Sequence, residues 1–202
     1  MLDATNNKPT GFTICPASAD EADDLANFAV MASDGLTLAT WEDMREGNQT
    51  AMQVGASRAA RKEGGFSYRN ADIALQNNRV IAGIISYPQK PDCNSVAPDD
   101  VPPFFRPLLA LEARAIPSWY INILATYDLF RGQGAASGLI GDVSERAKSA
   151  GFRHLSLIVG NNNPAFRLYD SLGFYEAARE AVVKGPFEDR DTFWILMKKK
   201  IF

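Results

Sequence analysis

Apolar positions along the chain follow two rhythms, one of period two and one near 3.6, and these divide it into short elements. Residues 12–17 read as a first strand. Ser18-Ala19-Asp20-Glu21 then has capping-box spacing, and Leu25, Phe28, Ala29 and Ala32 recur at helical intervals, predicting a helix to about Met31. Thr40-Trp41-Glu42-Asp43 repeats the start signal for a second helix, with an end expected near Gly64-Gly65. Residues 71–75 and 80–87 are apolar runs split by Asn77-Asn78-Arg79, which predicts a hairpin. Residues 119–126 read as a strand, 132–150 as a helix closed by Gly151, and 154–159 as another strand. Asn163 with Pro164 marks a helix start and Gly173 its end, before strands at 174–183 and 192–197.

Between these elements, residues 88–117 hold seven of the eleven prolines. They read as an irregular insertion with a short helix at 103–113, and such loops serve as lids as readily as they serve no purpose. The pattern has no internal repeat and no composition break, so residues 1–202 are expected to form one domain. The expected fold class is α/β of the α+β type, a mixed and largely antiparallel sheet of about seven strands flanked by helices.

Composition narrows the function. An apolar content of 46% and a charged content of 22% are those of an ordinary globular protein. No apolar run approaches the roughly 20 residues of a bilayer span, and Met1 to Thr10 has no apolar signal core. With only Cys15 and Cys93 there is no disulfide framework, and free thiols in the cytoplasm are the expectation. The single histidine, His154, excludes a two-histidine metal centre within one chain, so no metal is expected. A net charge of −3 argues against a nucleic-acid partner. The charge is uneven: residues 131–172 carry five basic and three acidic side chains, residues 1–130 ten and sixteen. A local positive block in an acidic chain suits a small anion, although surface composition produces such blocks by chance.

The segment richest in chemistry is Phe130-Arg131-Gly132-Gln133-Gly134-Ala135-Ala136, which follows a strand and opens a helix. Glycines there let a ligand approach the backbone, and a helix start offers unpaired N–H groups to a phosphate. Gly132-x-Gly134-x-x-x-Gly138 is one spelling of a dinucleotide loop, but that loop expects an acidic residue ending the next strand. Here that strand ends Val159-Gly160-Asn161-Asn162, and the loop arrives late in the chain.

The other spelling is R/Q-x-x-G-x-G/A, met by residues 131–136, and it is joined by Asn162-Asn163-Pro164-Ala165-Phe166-Arg167-Leu168-Tyr169 running into Leu172-Gly173-Phe174. The two motifs in this order, with a helix and strand between, resemble the GCN5-related N-acetyltransferases over about residues 11–198. What the resemblance implies is an enzyme that moves an acetyl group from acetyl-coenzyme A directly to a primary amine of a small molecule or peptide. It implies the cofactor's pyrophosphate on the backbone of Arg131, Gly132, Gln133, Gly134, Ala135 and Ala136, with help from Ser137. Its pantetheine arm would lie along Leu124, Ala125 and Thr126, with Asn162 and Phe166 against it. A homodimer is implied by the family's habit alone.

Tyr169 stands where the family commonly has a proton donor, and a phenol with a reference pKa near ~10 is protonated at neutral pH. Ala165, Leu168, Tyr169 and Leu172 also share one helical face, so a core tyrosine is the competing reading. Many relatives carry a glutamate base on the strand before the glycine loop; the matching residue here is Asn122. Glu112, in the proline-rich insertion, is the candidate left. Asn122 is also the feature that favours a non-catalytic coenzyme A-binding module over an enzyme. Trp41, Trp119 and Trp194 read as core residues, with Trp41 a candidate border of the acceptor pocket.

Overall fold

A computed structural model describes residues 11–91, 101–185 and 191–202. Within them, seven strands form one sheet in the order β1-β2-β3-β4-β5-β7-β6. They are β1 (Thr13–Pro16), β2 (Ala71–Gln76), β3 (Arg79–Gln89), β4 (Ser118–Thr126), β5 (His154–Gly160), β6 (Tyr175–Ala181) and β7 (Phe193–Lys200). Every neighbouring pair is antiparallel except β4 and β5. The mixed, mostly antiparallel sheet expected from the strand pattern is therefore the one observed.

Among the described residues six α-helices cover the sheet: α1 (Ala22–Ala32), α2 (Leu36–Asp43), α3 (Ala51–Ala59), α4 (Arg106–Ala115), α5 (Ala135–Ser149) and α6 (Phe166–Ser171). On one face Leu25, Phe28 and Ala29 of α1 pack with Trp41, Val54 and Ile73. Leu111 and Ala115 of α4 cover Trp194 and Leu196 of β7. On the other face Leu139, Ile140 and Val143 of α5 and Tyr169 of α6 join Ile84, Ile121, Leu157 and Ile195 in the largest core cluster. Asp72 of β2, buried, is tied to this layer by a two-pronged ion pair with Arg146 of α5.

Several boundaries differ from the sequence reading. Thr40-Trp41-Glu42-Asp43 ends a helix instead of starting one, because the Thr40 hydroxyl donates back to the Leu36 carbonyl (2.8 Å). The next start lies at Thr50, which forms a capping box with Gln53, and that helix stops at Ala59 rather than near Gly64. α5 starts at Ala135 and not Gly132, since Gly132 and Gly134 have φ of 76° and 87°. α6 starts at Phe166: Asn163 makes a turn whose side-chain oxygen accepts from the Ala165 N–H (2.9 Å), so Pro164 precedes the helix. The proline-rich segment does not interrupt β3 at Pro88. β2 pairs only as far as Ile85, so Pro88 lies beyond the reach of that neighbour while still facing Trp119 of β4. Cys93 and the centre of that insertion fall outside the described residues. β7 runs on through Lys198-Lys199-Lys200, paired with β5, beyond the end expected at residue 197.

Candidate active site

The site begins with an interruption in the sheet. Along β4, Ile121 faces Ser86 and Ile123 faces Ile85, so Asn122 is an extra residue in a bulge. The parallel pairing of β4 with β5 covers only Trp119↔Leu155 and Tyr120↔Ser156. At that last point of contact the buried hydroxyls of Ser118 and Ser156 lie 2.6 Å apart. Beyond it the two strands part. The edges of Leu124, Ala125 and Thr126 that face β5 are thereby left without strand partners, which is where an extended ligand with amide groups can add as a strand does.

A cavity of about 690 Å³ fills the gap. At one end stands the first turn of α5. Gly134 occupies its N-cap in a left-handed conformation and gives no side-chain cap, and no acidic residue lies in the first turn. A Cβ placed on Gly132 or Gly134 would meet nothing within 4 Å, so their conformation, rather than crowding by protein, is what demands glycine. The result is an uncapped helix end of fifteen residues, with a positive dipole terminus, open to the cavity. Arg131 beside it is exposed and pairs with Asp128 (2.8 Å).

Tyr169 stands on the cavity wall, nearly buried, with its ring edge-on to Phe174 at 5.8 Å. Its hydroxyl has no hydrogen-bond partner among the described residues, and burial pushes its pKa up to about 12. A core tyrosine would normally have that hydroxyl satisfied. Here the group facing the gap is a protonated phenol with an unused donor.

The structure brings most of the sequence-derived candidates onto one wall: Asn122, Leu124, Ala125 and Thr126 from β4, then Arg131, Gly132, Gly134, Ala135, Ala136 and Ser137, and Tyr169. Four are elsewhere. Gln133 points away and accepts from the Gln76 amide (3.2 Å). The Asn162 N–H donates to Asp191, and Phe166 packs at the margin of the core. Glu112, on α4, lies beside Tyr120 and Tyr87, where burial raises its pKa while its hydrogen bond with Tyr120 works the other way. Trp41 is core, its ring tilted against Phe66, and does not border the cavity.

Residues the sequence did not assign to a site complete the wall. Met31 comes from the end of α1, Ser33 and Asp34 from the α1–α2 connection, and Trp194, expected in the core, from β7. Asn163, next to the expected Asn162, reaches Asp34 across the mouth (3.5 Å). The one sequence signal for the first group is the Asp34-Gly35 turn dipeptide between two apolar stretches. Gly160, where β5 ends, is held in contact with buried Asp191; a Cβ there would lie 1.7 Å from the carboxylate.

Parted parallel strands over a bare helix end define the class of fold used by acyl-group transferases of the acetyltransferase type, and similar solved structures agree. Polyamine N-acetyltransferase from Drosophila melanogaster matches at TM-score 0.63 and 13% identity, covering 94% of this chain and 99% of that one. Arylalkylamine N-acetyltransferase 2 from Aedes aegypti matches at TM-score 0.65 and 15% identity, covering 95% and 99%. An N-acetyltransferase from Staphylococcus aureus Mu50 matches at TM-score 0.60 and 17% identity, covering 92% and 99%. Such identities establish the fold only. No curated protein matches the chain. Residues 39–174 match the acetyltransferase (GNAT) family, and the chain belongs to that family.

Proposed function

We propose that the chain transfers an acetyl group from acetyl-coenzyme A directly to the primary amine of a small molecule, acting as one catalytic domain. The observation that carries this reading is the shared cavity: unpaired β4 edge, uncapped α5 and the partnerless Tyr169 hydroxyl all open into it. Acetyl-coenzyme A supplies the acetyl group activated as a thioester, with sulfur as the leaving atom. The N–H groups of the first α5 turn, approached past Gly132 and Gly134, hold its pyrophosphate. The free edge of Leu124, Ala125 and Thr126 receives the amides of its arm, and a backbone N–H at Leu124 or Ala125 steadies the carbonyl oxygen. In this reading the arm also touches Asn163 and Leu168, which line the cavity where Asn162 and Phe166 do not.

Tyr169 gives the departing sulfur its proton. Its raised pKa keeps the phenol protonated throughout the neutral range, so the donor is present in every turnover. No residue forms a covalent acetyl intermediate in this scheme; Cys15 on β1 is off the cavity wall, and burial pushes its thiol pKa up. Names of structural neighbours, a polyamine and an arylalkylamine N-acetyltransferase, lend support to a small amine as acceptor.

Asn122 favours a second reading, a coenzyme A-binding module without catalysis. Tyr169→Phe separates the two. For an enzyme, turnover falls roughly 10²- to 10⁴-fold while the affinity for acetyl-coenzyme A stays within about twofold. Wild-type protein that binds acetyl-coenzyme A and acetylates no amine would establish the module instead.

A further inference from the structure

The proposed reaction needs a proton acceptor as well as a donor. A primary amine is an ammonium ion at neutral pH and has no lone pair for attack until it loses a proton. β4 presents Asn122 where a carboxylate would serve, and an amide is no base. Glu112 does not line the cavity, and its carboxylate is hydrogen-bonded to Tyr120.

We propose that Asp34, at the α1–α2 turn, is the base that deprotonates the acceptor amine; this rests on the acetyl-transfer reading above. Among the described residues Asp34 is the single carboxylate on the cavity wall, where the other ionisable side chains are Arg131 and Tyr169. Its oxygen meets only the Asn163 amide, at 3.5 Å, and it has no cationic partner among the described residues. The carboxylate is therefore free to accept a proton. Aspartate tolerates the left-handed φ of 45° that the chain adopts here, in the turn into Gly35 and the start of α2, so the backbone holds this side chain at a fixed place on the wall. Met31, Ile121 and Trp194 make the surrounding wall apolar, which suits the carbon body of an alkyl or arylalkyl amine.

The protons balance. Asp34 removes one from the ammonium, directly or through one water. The nitrogen lone pair then forms the N–C bond as the C–S bond breaks. A second proton leaves nitrogen as the amide forms. One of the two ends on sulfur by way of Tyr169, which is reprotonated in turn, and the other passes to solvent.

Asp34→Asn is the test, because asparagine keeps the shape and tolerates the left-handed backbone. Phenethylamine and butylamine are compared with O-phenethylhydroxylamine and O-butylhydroxylamine, whose nitrogens are made so weakly basic by the adjacent oxygen that they are neutral at neutral pH and need no base before attack. The prediction is a kcat loss of roughly 10²-fold or more on the amines, with less than about fivefold on the hydroxylamine ethers and acetyl-coenzyme A affinity unchanged. Equal losses on amines and hydroxylamine ethers would mean a structural role and overturn the proposal. A raised KM with kcat intact would mean charge recognition and overturn it too. Wild type that binds acetyl-coenzyme A yet acetylates none of these amines removes the transfer reading and the base with it.

Discussion

Gly134→Ala isolates the glycine loop from the rest of the fold. The added Cβ meets no protein atom within 4 Å, so the folding cost is only that of holding alanine at a φ of 87°. That cost is about 1–2 kcal/mol. For a chain of this length each kcal/mol lowers Tm by roughly 2–4 °C, so the variant remains folded. Gly151→Ala is the matched control: its φ is 83°, its Cβ also meets nothing within 4 Å, and it lies at the opposite end of α5. The two variants should lose similar stability. They should differ in binding, because the Gly134 methyl group occupies the space before the first-turn N–H groups. Losing one or two hydrogen bonds to a charged phosphate, at about 1.5 kcal/mol each, weakens coenzyme A roughly 10- to 100-fold. Titration calorimetry with coenzyme A and a thermal melt on each variant measure both quantities. Equal coenzyme A affinity in the two variants would refute the assignment of the pyrophosphate to this loop.

Two further outcomes follow from the packing. Tyr169 has a folded pKa of about 12 against an unfolded value near ~10, so its contribution to stability is complete below pH ~10 and is lost as pH rises toward 12. That loss amounts to roughly 2–3 kcal/mol, and denaturant unfolding at a series of alkaline pH values should show a shallower decline in Tyr169→Phe. Arg146→Ala leaves the buried Asp72 carboxylate without its partner and strips a cation from over the Trp119 ring; because Arg146 is itself half exposed, the expected cost is about 2 kcal/mol, read from urea midpoints.

The features visible in the sequence were those written in short-range spacing. Alternation located the strands, and the Arg131 to Ala136 loop announced a helix start because its glycines and small residues are adjacent. Tyr169 came from a motif, since periodicity alone could not separate a core hydroxyl from an unpartnered one; that depends on which atoms the fold sets around it. The parting of β4 from β5 has no signal in the alternation of either strand. The extra residue Asn122 beside it is a matter of register between β3 and β4 and leaves no local mark. Thr40 misled for the opposite reason: a hydroxyl that can cap a helix start can equally bond back into a helix ending. Asp34 was invisible because its meaning comes from facing β5 and α6, far away in sequence, across the cavity mouth.

The most direct test of the central claim is release of free thiol from acetyl-coenzyme A by the purified protein, with and without a primary amine, alongside quantitation of the acetylated amine. The account predicts thiol release that depends on the amine, saturates with it, and matches the acetylamine mole for mole. Tight binding of acetyl-coenzyme A with no amine-dependent thiol release across alkyl, arylalkyl and polyamine acceptors would contradict it.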